Sequence, residues 1–311
     1  MARAALAMEP PIAILSFDRP LYLQAVLRSL RNQIREGHPV FLFQDGNNNP
    51  YSGHRRGDAA HVKACVEVFQ KIIPWGTTIC SDRNIGIAEN YERAEQHLFT
   101  TLKANAGLFL EDDMVLSPNY LSVTRQLLHL AISDSRIAYV SAYGNFWASL
   151  SEQCARRSEL IHMHENWGFA MTRSAWLDER PFREKYLRLV KGVDYVGRHD
   201  DAIRQFYRNR GWKCIVTSQD AARWIASIEL GKVRLTSFAC HAHYIGREGV
   251  HSTAAHYDNC GFAHTEMFDQ QPSQLEVPTD AKIAAWLDTE RRRFSGSGDP
   301  FYSGHATELQ R

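Results

Sequence analysis

The sequence predicts a doubly wound α/β architecture with a largely parallel sheet. Three observations predict it. Between residues 11 and 145, short apolar runs alternate with longer amphipathic ones. The short runs are strand-length and bounded by polar turns, and the longer ones carry apolar residues at helical spacing. The segments that close the apolar runs are polar and acid-rich, as expected where such a sheet places its function, beyond the carboxyl ends of its strands.

The first apolar run, "PIAILSF" (11–17), follows a Pro pair and reads as a buried strand. "RPLYLQAVLRSLRNQ" then places Leu23, Val26, Leu27 and Leu30 on one helical face. "HPVFLFQDG" (38–46) is a second buried strand, closed by Asp-Gly. The run from 58 to 73 reads as a helix capped by Asp58. "TTIC" (77–80) is a third strand, "GIAENYERAEQHLFTTLKA" a helix, and "AGLFLEDD" a fourth strand. Ser117-Pro118 opens the next helix, with Pro at its first helical position, and "RIAYVSAYG" is a fifth strand. The second half is less regular. "WGFAMTRSAW" (167–176) reads as a strand entering a helix, and "HDDAIRQFYRNRGWKCIVT" (199–217) as a capped helix followed by a strand. Beyond about Asp269 the chain turns polar, with one helix near 279–294 and a mobile Gly/Ser/Pro-rich end. The expected organisation is a main domain over 1–268, with a regular half (11–145) and a less regular half (146–268), followed by a helix and polar tail (269–311).

The chain has 311 residues, 44% of them apolar and 23% charged, which suits a globular protein with a full core. A net charge of +1 gives no electrostatic footprint for nucleic acid or an anionic membrane. No apolar run reaches the length of a membrane span, and the six cysteines form no CxxC pair. The expectation is a soluble cytoplasmic protein with reduced thiols.

The chemistry starts at "FLEDDM", where Glu111, Asp112 and Asp113 follow an apolar strand. Three adjacent carboxylates beside a buried run need open solvent or a cation. Hard divalent ions such as Mg²⁺ and Mn²⁺ prefer carboxylate oxygens and bridge them to phosphates. No GxxxxGK[ST] loop and no GxGxxG turn is present. The first strand ends instead in "FDRP", where Arg19 fits either a phosphate contact or a solvent-facing helix start. Asp45 fits a hydrogen bond from a base or an Asp-Gly turn. Asp200 and Asp201 fit a helix N-terminus or a general base aimed into a cleft. His241, His243, His251 and His256 match no zinc spacing. His243 is the candidate to complete a metal shell begun at Asp113.

Taken in order from about 11 to 252, these segments resemble the inverting N-acetylglucosaminyltransferases that initiate hybrid and complex N-glycans, and the related protein O-mannose N-acetylglucosaminyltransferases. The resemblance is carried by "SFDRP", "FQDG", "IGIAENYERA", "FLEDDMVLSPNYL", "YVSAYGNF", "WGFAMTRSAW", "HDDAIRQFYRNRGWKCI" and "IGREGVHS". It implies a GT-A-type nucleotide-diphospho-sugar transferase fold, a UDP-sugar donor (UDP-GlcNAc first) and Mn²⁺ or Mg²⁺. It also implies a glycan, glycolipid or protein acceptor. Carried across, Asp113 would ligate the metal, and Glu111 and Asp112 would hold sugar and ribose. Arg19 and Asp45 would hold the uridine end, and Asn90 would lie near the nucleotide where the family has a His. Arg247, Gly249 and Val250 would belong to a loop that closes over the donor. Asp200 would be the base, with Asp201 next to it. His199 and Ala202 stand where the family has aromatic residues. Two further readings stay open: a nucleotidyltransferase acting on sugar phosphates, and a non-catalytic nucleotide-sugar or glycan-binding protein.

Overall fold

In the computed structural model, residues 9–163, 165–249, 253–270 and 273–296 are described. Four parallel strands make one half of an eight-stranded sheet: β1 (Ile12–Ser16), β2 (Val40–Gln44), β3 (Thr77–Cys80) and β4 (Ala106–Glu111). The crossovers are α1 (Pro20–Arg31), α2 (Ala59–Ile72) and α3 (Gly86–Gln96), the last prolonged by a π-helical turn over His97–Thr101. Leu23, Val26, Leu27 and Leu30 of α1 are all buried, as their spacing requires. Asp58 caps α2 by accepting from the Ala60 amide at 2.8 Å. The chain steps outward from β1 through β2 to β3, then returns to the other flank of β1 as β4. That reversal opens a crevice beyond the carboxyl ends of β1 and β4.

The rest of the sheet is mixed. Its strands are β6 (Ile137–Ser141), β7 (Leu160–His162), β8 (Phe169–Thr172) and β9 (Val233–Ser237), in the overall order β3-β2-β1-β4-β8-β6-β9-β7. β8 runs antiparallel to both β4 and β6, with Phe169 opposite Phe109 and Ser141. The start of β8 therefore lies at the carboxyl end of β4, and the segment before it reaches the same crevice. β5 (Met114–Leu116) pairs with β10 (Ala242–Tyr244) as a separate ribbon. The α/β class and the doubly wound first half are as expected; the antiparallel β8 inside the sheet is not legible as such in the sequence.

The remaining helices are α4 (Tyr120–Ser133), α5 (Leu150–Ala155), α6 (Arg173–Val190), α7 (Asp200–Arg208), α8 (Gln219–Glu229), α9 (Ala254–Asn259) and α10 (Asp280–Ser295). Two local expectations are corrected. Pro118 is not the first residue of α4, because the Ser117 amide donates to the His241 carbonyl at 2.8 Å and prolongs the β5 ribbon. Residues 212–217 form no strand: Cys214 and Val216 pack into the cluster around Tyr207 and Trp224, and β9 takes the place beside β6. No helix among the described residues is long and apolar enough to cross a membrane. The expected polar tail beyond 296 lies outside the described residues.

Candidate functional site

A cavity of about 420 Å³ occupies the crevice. Its wall is built from the turn after β1, the end of β4, the segment before β8, the first turn of α8 and the stretch after β10. Eight carboxylates and three arginines line it. Carboxyl groups gathered on a partly apolar wall stay ionised only beside cationic partners, and otherwise hold their protons.

Arg19 is one such partner. As the chain leaves β1, its guanidinium turns back onto the end of β4, where Nη2 pairs with Asp112 and Nη1 lies 2.8 Å from Asp113 Oδ2. Both carboxylates are almost wholly buried, at 3% side-chain exposure each. Burial alone would lower the Arg19 pKa, and the charges of Asp112 and Asp113 overcome it and raise it instead. Burial pushes Asp113 up to about 6, against the pull of Arg19. Asp113 Oδ1 is buried without a hydrogen-bond partner.

An internal cation on one face and an unpartnered carboxylate oxygen on the other suit a hard divalent ion. Such an ion takes one or two carboxylates from the protein and completes its shell with phosphate and water. Among the described residues, no group of three or more His, Cys, Asp or Glu could hold a metal unaided. His243 stands opposite Val115 in the β5–β10 ribbon, and its Nε2 lies 3.0 Å from the Phe262 carbonyl.

The chain after β10 lies directly on the acid pair. The Ile245 amide donates to the Asp113 carbonyl at 2.8 Å, and Arg19 Nη1 reaches the Glu248 carbonyl at 3.5 Å. A methyl group on Gly246 would come within 2.4 Å of Asp113 Oδ2, so only glycine allows this approach. Gly249 lies on Arg19 and lines the cavity. Arg247 instead reaches outward to Asp258 at 2.8 Å. Val250 lies outside the described residues.

Asp45 and Asn90 line the cavity but are engaged by the protein. Asp45 accepts from the Gly46, Ile85 and Gly86 amides at 2.9 Å and from Asn84 Nδ2 at 3.1 Å. Four donors fill the four acceptor sites of a carboxylate, so Asp45 staples the turn that starts α3 and has no site left for a base. Asn90 donates to the Phe43 carbonyl at 2.9 Å and accepts from Arg93 at 2.7 Å. Glu111 accepts from the Tyr91 hydroxyl at 2.9 Å, and burial pushes it up to about 8 with help from the charges of Asp113 and Asp220.

Asp200 and Asp201 open α7, next to the residues that line the cavity. Asp200 accepts from Thr217 Oγ1 at 2.5 Å and lies 3.4 Å from Arg198, which does line the cavity. Its side chain is 45% exposed, and that of Asp201 is 98% exposed. The described wall does not include either carboxylate.

Among the wall residues that sequence reasoning passes over are Glu165, Asn166 and Asp220. "EN" directly ahead of "WG" was the available signal for the first two; Asp220 looks like an ordinary first-turn acid after the Ser218 cap. The fold aims them inward. Gly168, at φ +61°, gives its carbonyl to Tyr120 and Ser141, which pins the turn before β8. α8 is docked by Arg223, which pairs with buried Glu95 at 2.5 Å and lies over the Tyr91 ring at 4.7 Å.

No protein-family model matches the sequence, and no curated protein matches it. Among solved structures, the chain is similar to GalNAc-T7, crystallised with UDP, GalNAc and Mn²⁺, at 11% identity and a TM-score of 0.43. That match covers 73% of this chain and 42% of the other. It is also similar to TarS of S. aureus, at 10% identity and a TM-score of 0.39, over 72% of this chain and 43% of the other. The chain thus spans less than half the length of either structure.

Proposed function

We propose that this protein is a GT-A-type, metal-dependent inverting glycosyltransferase. It would move a sugar, GlcNAc first among the choices, from a UDP-sugar to a hydroxyl of a glycan, glycolipid or protein acceptor in the cytoplasm. The observation that carries the reading is the pairing of Arg19 with Asp112 and Asp113 at the sheet's reversal point, with Asp113 Oδ1 buried and unpartnered. Such a place attracts a diphosphate together with a divalent cation. Asp113 would hold the cation, with Asp112 beside it, and the cation would offset charge on the departing diphosphate.

The donor lies along the crevice in this reading. Its nucleoside end faces the turn after β1 and the Asp45 staple, and its sugar lies beyond Glu111. Asp200 is the proposed proton acceptor. The acceptor's O–H proton passes to its carboxylate, a bond forms from that oxygen to the anomeric carbon, and the bond to the diphosphate breaks to release UDP. Asp200 flanks the wall through Arg198 and Thr217, which supports a role at its rim.

Titration calorimetry with UDP and Mn²⁺ tests the reading. Asp113→Ala is expected to abolish the Mn²⁺-dependent part of UDP binding; unchanged affinity would remove the metal role. Asp200→Asn is expected to bind UDP normally and to transfer no sugar, and an active variant would place the base elsewhere.

A further inference from the structure

Asn166 is 2% exposed and its Oδ1 has no hydrogen-bond partner, although its Nδ2 donates to Asp220 Oδ1 at 3.2 Å. A buried carbonyl oxygen left without a donor is costly, and this one belongs to a residue on the cavity wall. Glu165 and Asp220 stand on the same wall, and Glu165 feels the charge of Asp220. Next to them the Trp167 ring stacks on Tyr244 at 4.1 Å and 21°, a flat apolar surface at the edge of the same space.

The position of this group follows from the sheet. β8 is antiparallel, so Glu165 and Asn166 come to the crevice beside the end of β4. Glu111, at the end of β4, lines the same cavity and feels the charges of both Asp113 and Asp220. A donor whose diphosphate sits at Asp113 would extend its sugar past Glu111 toward Asn166.

We propose that Glu165, Asn166 and Asp220 form the pocket for the transferred sugar ring, and that this pocket admits uncharged sugars and rejects uronic acids. The proposal rests on the function proposed above. Asn166 Oδ1 requires an O–H or N–H donor, and a sugar hydroxyl or acetamido group supplies one. Asp220 accepts a second hydroxyl. Burial pushes Glu165 up to about 8, so at neutral pH it keeps a proton and donates. A sugar carboxylate would meet the Asp220 carboxylate, whose own countercharges, Arg223 and Arg234, are buried in the wall behind it. The three arginines on the described wall are engaged: Arg19 with Asp112 and Asp113, Arg56 with Asp194, and Arg198 with Thr217 and the Tyr195 carbonyl.

The test is calorimetry of the full chain with Mn²⁺ and three probes: UDP, UDP-glucose and UDP-glucuronate, the last two differing only at C6. Wild type is expected to bind UDP-glucuronate at least about tenfold more weakly than UDP-glucose. Asn166→Ala is expected to weaken UDP-glucose about three- to tenfold while changing UDP less than about twofold. Asp220→Asn, which keeps the shape, should narrow the gap between the two sugars and guards against a misfolded Asn166 variant. Equal binding of the two UDP-sugars by wild type would overturn the proposal, as would equal losses for UDP and UDP-glucose in both variants. Failure of wild type to bind UDP at all would instead overturn the function on which it rests.

Discussion

Arg19 Nη1 lies 2.8 Å from Asp113 Oδ2, and the same guanidinium pairs with Asp112, so one cation from the end of β1 holds two buried anions at the end of β4. The arrangement explains how adjacent acids survive beside an apolar strand. It also predicts an exchange between two cations. Removing Arg19 leaves both carboxylates buried and uncompensated, and Arg19→Ala should cost about 3 kcal/mol of stability. Because a divalent ion would fill the same need, Mn²⁺ should raise the variant's melting temperature more than the wild type's. Equal Mn²⁺ effects on the two proteins in a thermal melt would show that the ion does not bind at this pair.

Asp45 makes a different kind of prediction. Its four acceptor sites are filled by the Gly46, Ile85 and Gly86 amides and by Asn84. Asp45→Ala would strand these donors, and its cost should be about 3 kcal/mol or more. Asp45→Asn, which presents an NH₂ to facing donors, should cost nearly as much. Hydrogen exchange should show the loss first in the amides of 85 and 86. A variant that keeps full stability but loses UDP affinity would return Asp45 to the role of a base contact.

The contrast between these residues marks what the sequence made legible. The strand–helix alternation of the first half is local, because each element's apolar spacing is written in its own residues. The acid triplet stood out because like charges beside an apolar run are locally anomalous. Asp45 looked like either a ligand or a turn, and only the fold shows its oxygens facing residues 84–86, forty positions away. Glu165 and Asn166 gain their place from β8, and a four-residue strand does not disclose its direction. Asp220 reads as helix-capping chemistry until Arg223 docks α8 on Glu95. Long-range placement, rather than residue type, decided each of these.

Glu165 gives the protein a pH signature. Burial raises its pKa from 4.5 to about 8, so the folded state holds a proton that the unfolded chain has released across that interval. Stability from this group is therefore complete below about 4.5 and falls as pH rises toward 8. Asp220 and Glu111 are raised as well and act in the same sense. Glu165→Gln should flatten part of the slope and gain stability relative to wild type at pH 8. Denaturant melts from pH 5 to pH 8.5 measure this directly, and parallel curves for the two proteins would show that Glu165 is already ionised when folded.

Glu95 connects stability to the site. It is wholly buried and pairs with Arg183 and, at 2.5 Å, with Arg223. Burial raises its pKa, and the two arginines outweigh that and hold it below its ordinary value. Arg223 in turn lies over the Tyr91 ring, whose hydroxyl bonds Glu111. Glu95→Gln removes the counter-charge that two buried guanidinium groups share, leaving Arg183 only the longer contact to Glu92 at 3.8 Å, and should cost about 3–5 kcal/mol. If the network also positions the site, the surviving folded fraction should bind a UDP-sugar more weakly than wild type while binding UDP alone almost as well. Adding Arg183→Met to Glu95→Gln removes one stranded charge and should recover part of the stability, without restoring the sugar-dependent binding. Calorimetry on the single and double variants separates the two effects: sugar binding that recovers in step with melting temperature would mean that Glu95 acts on the site through folding alone.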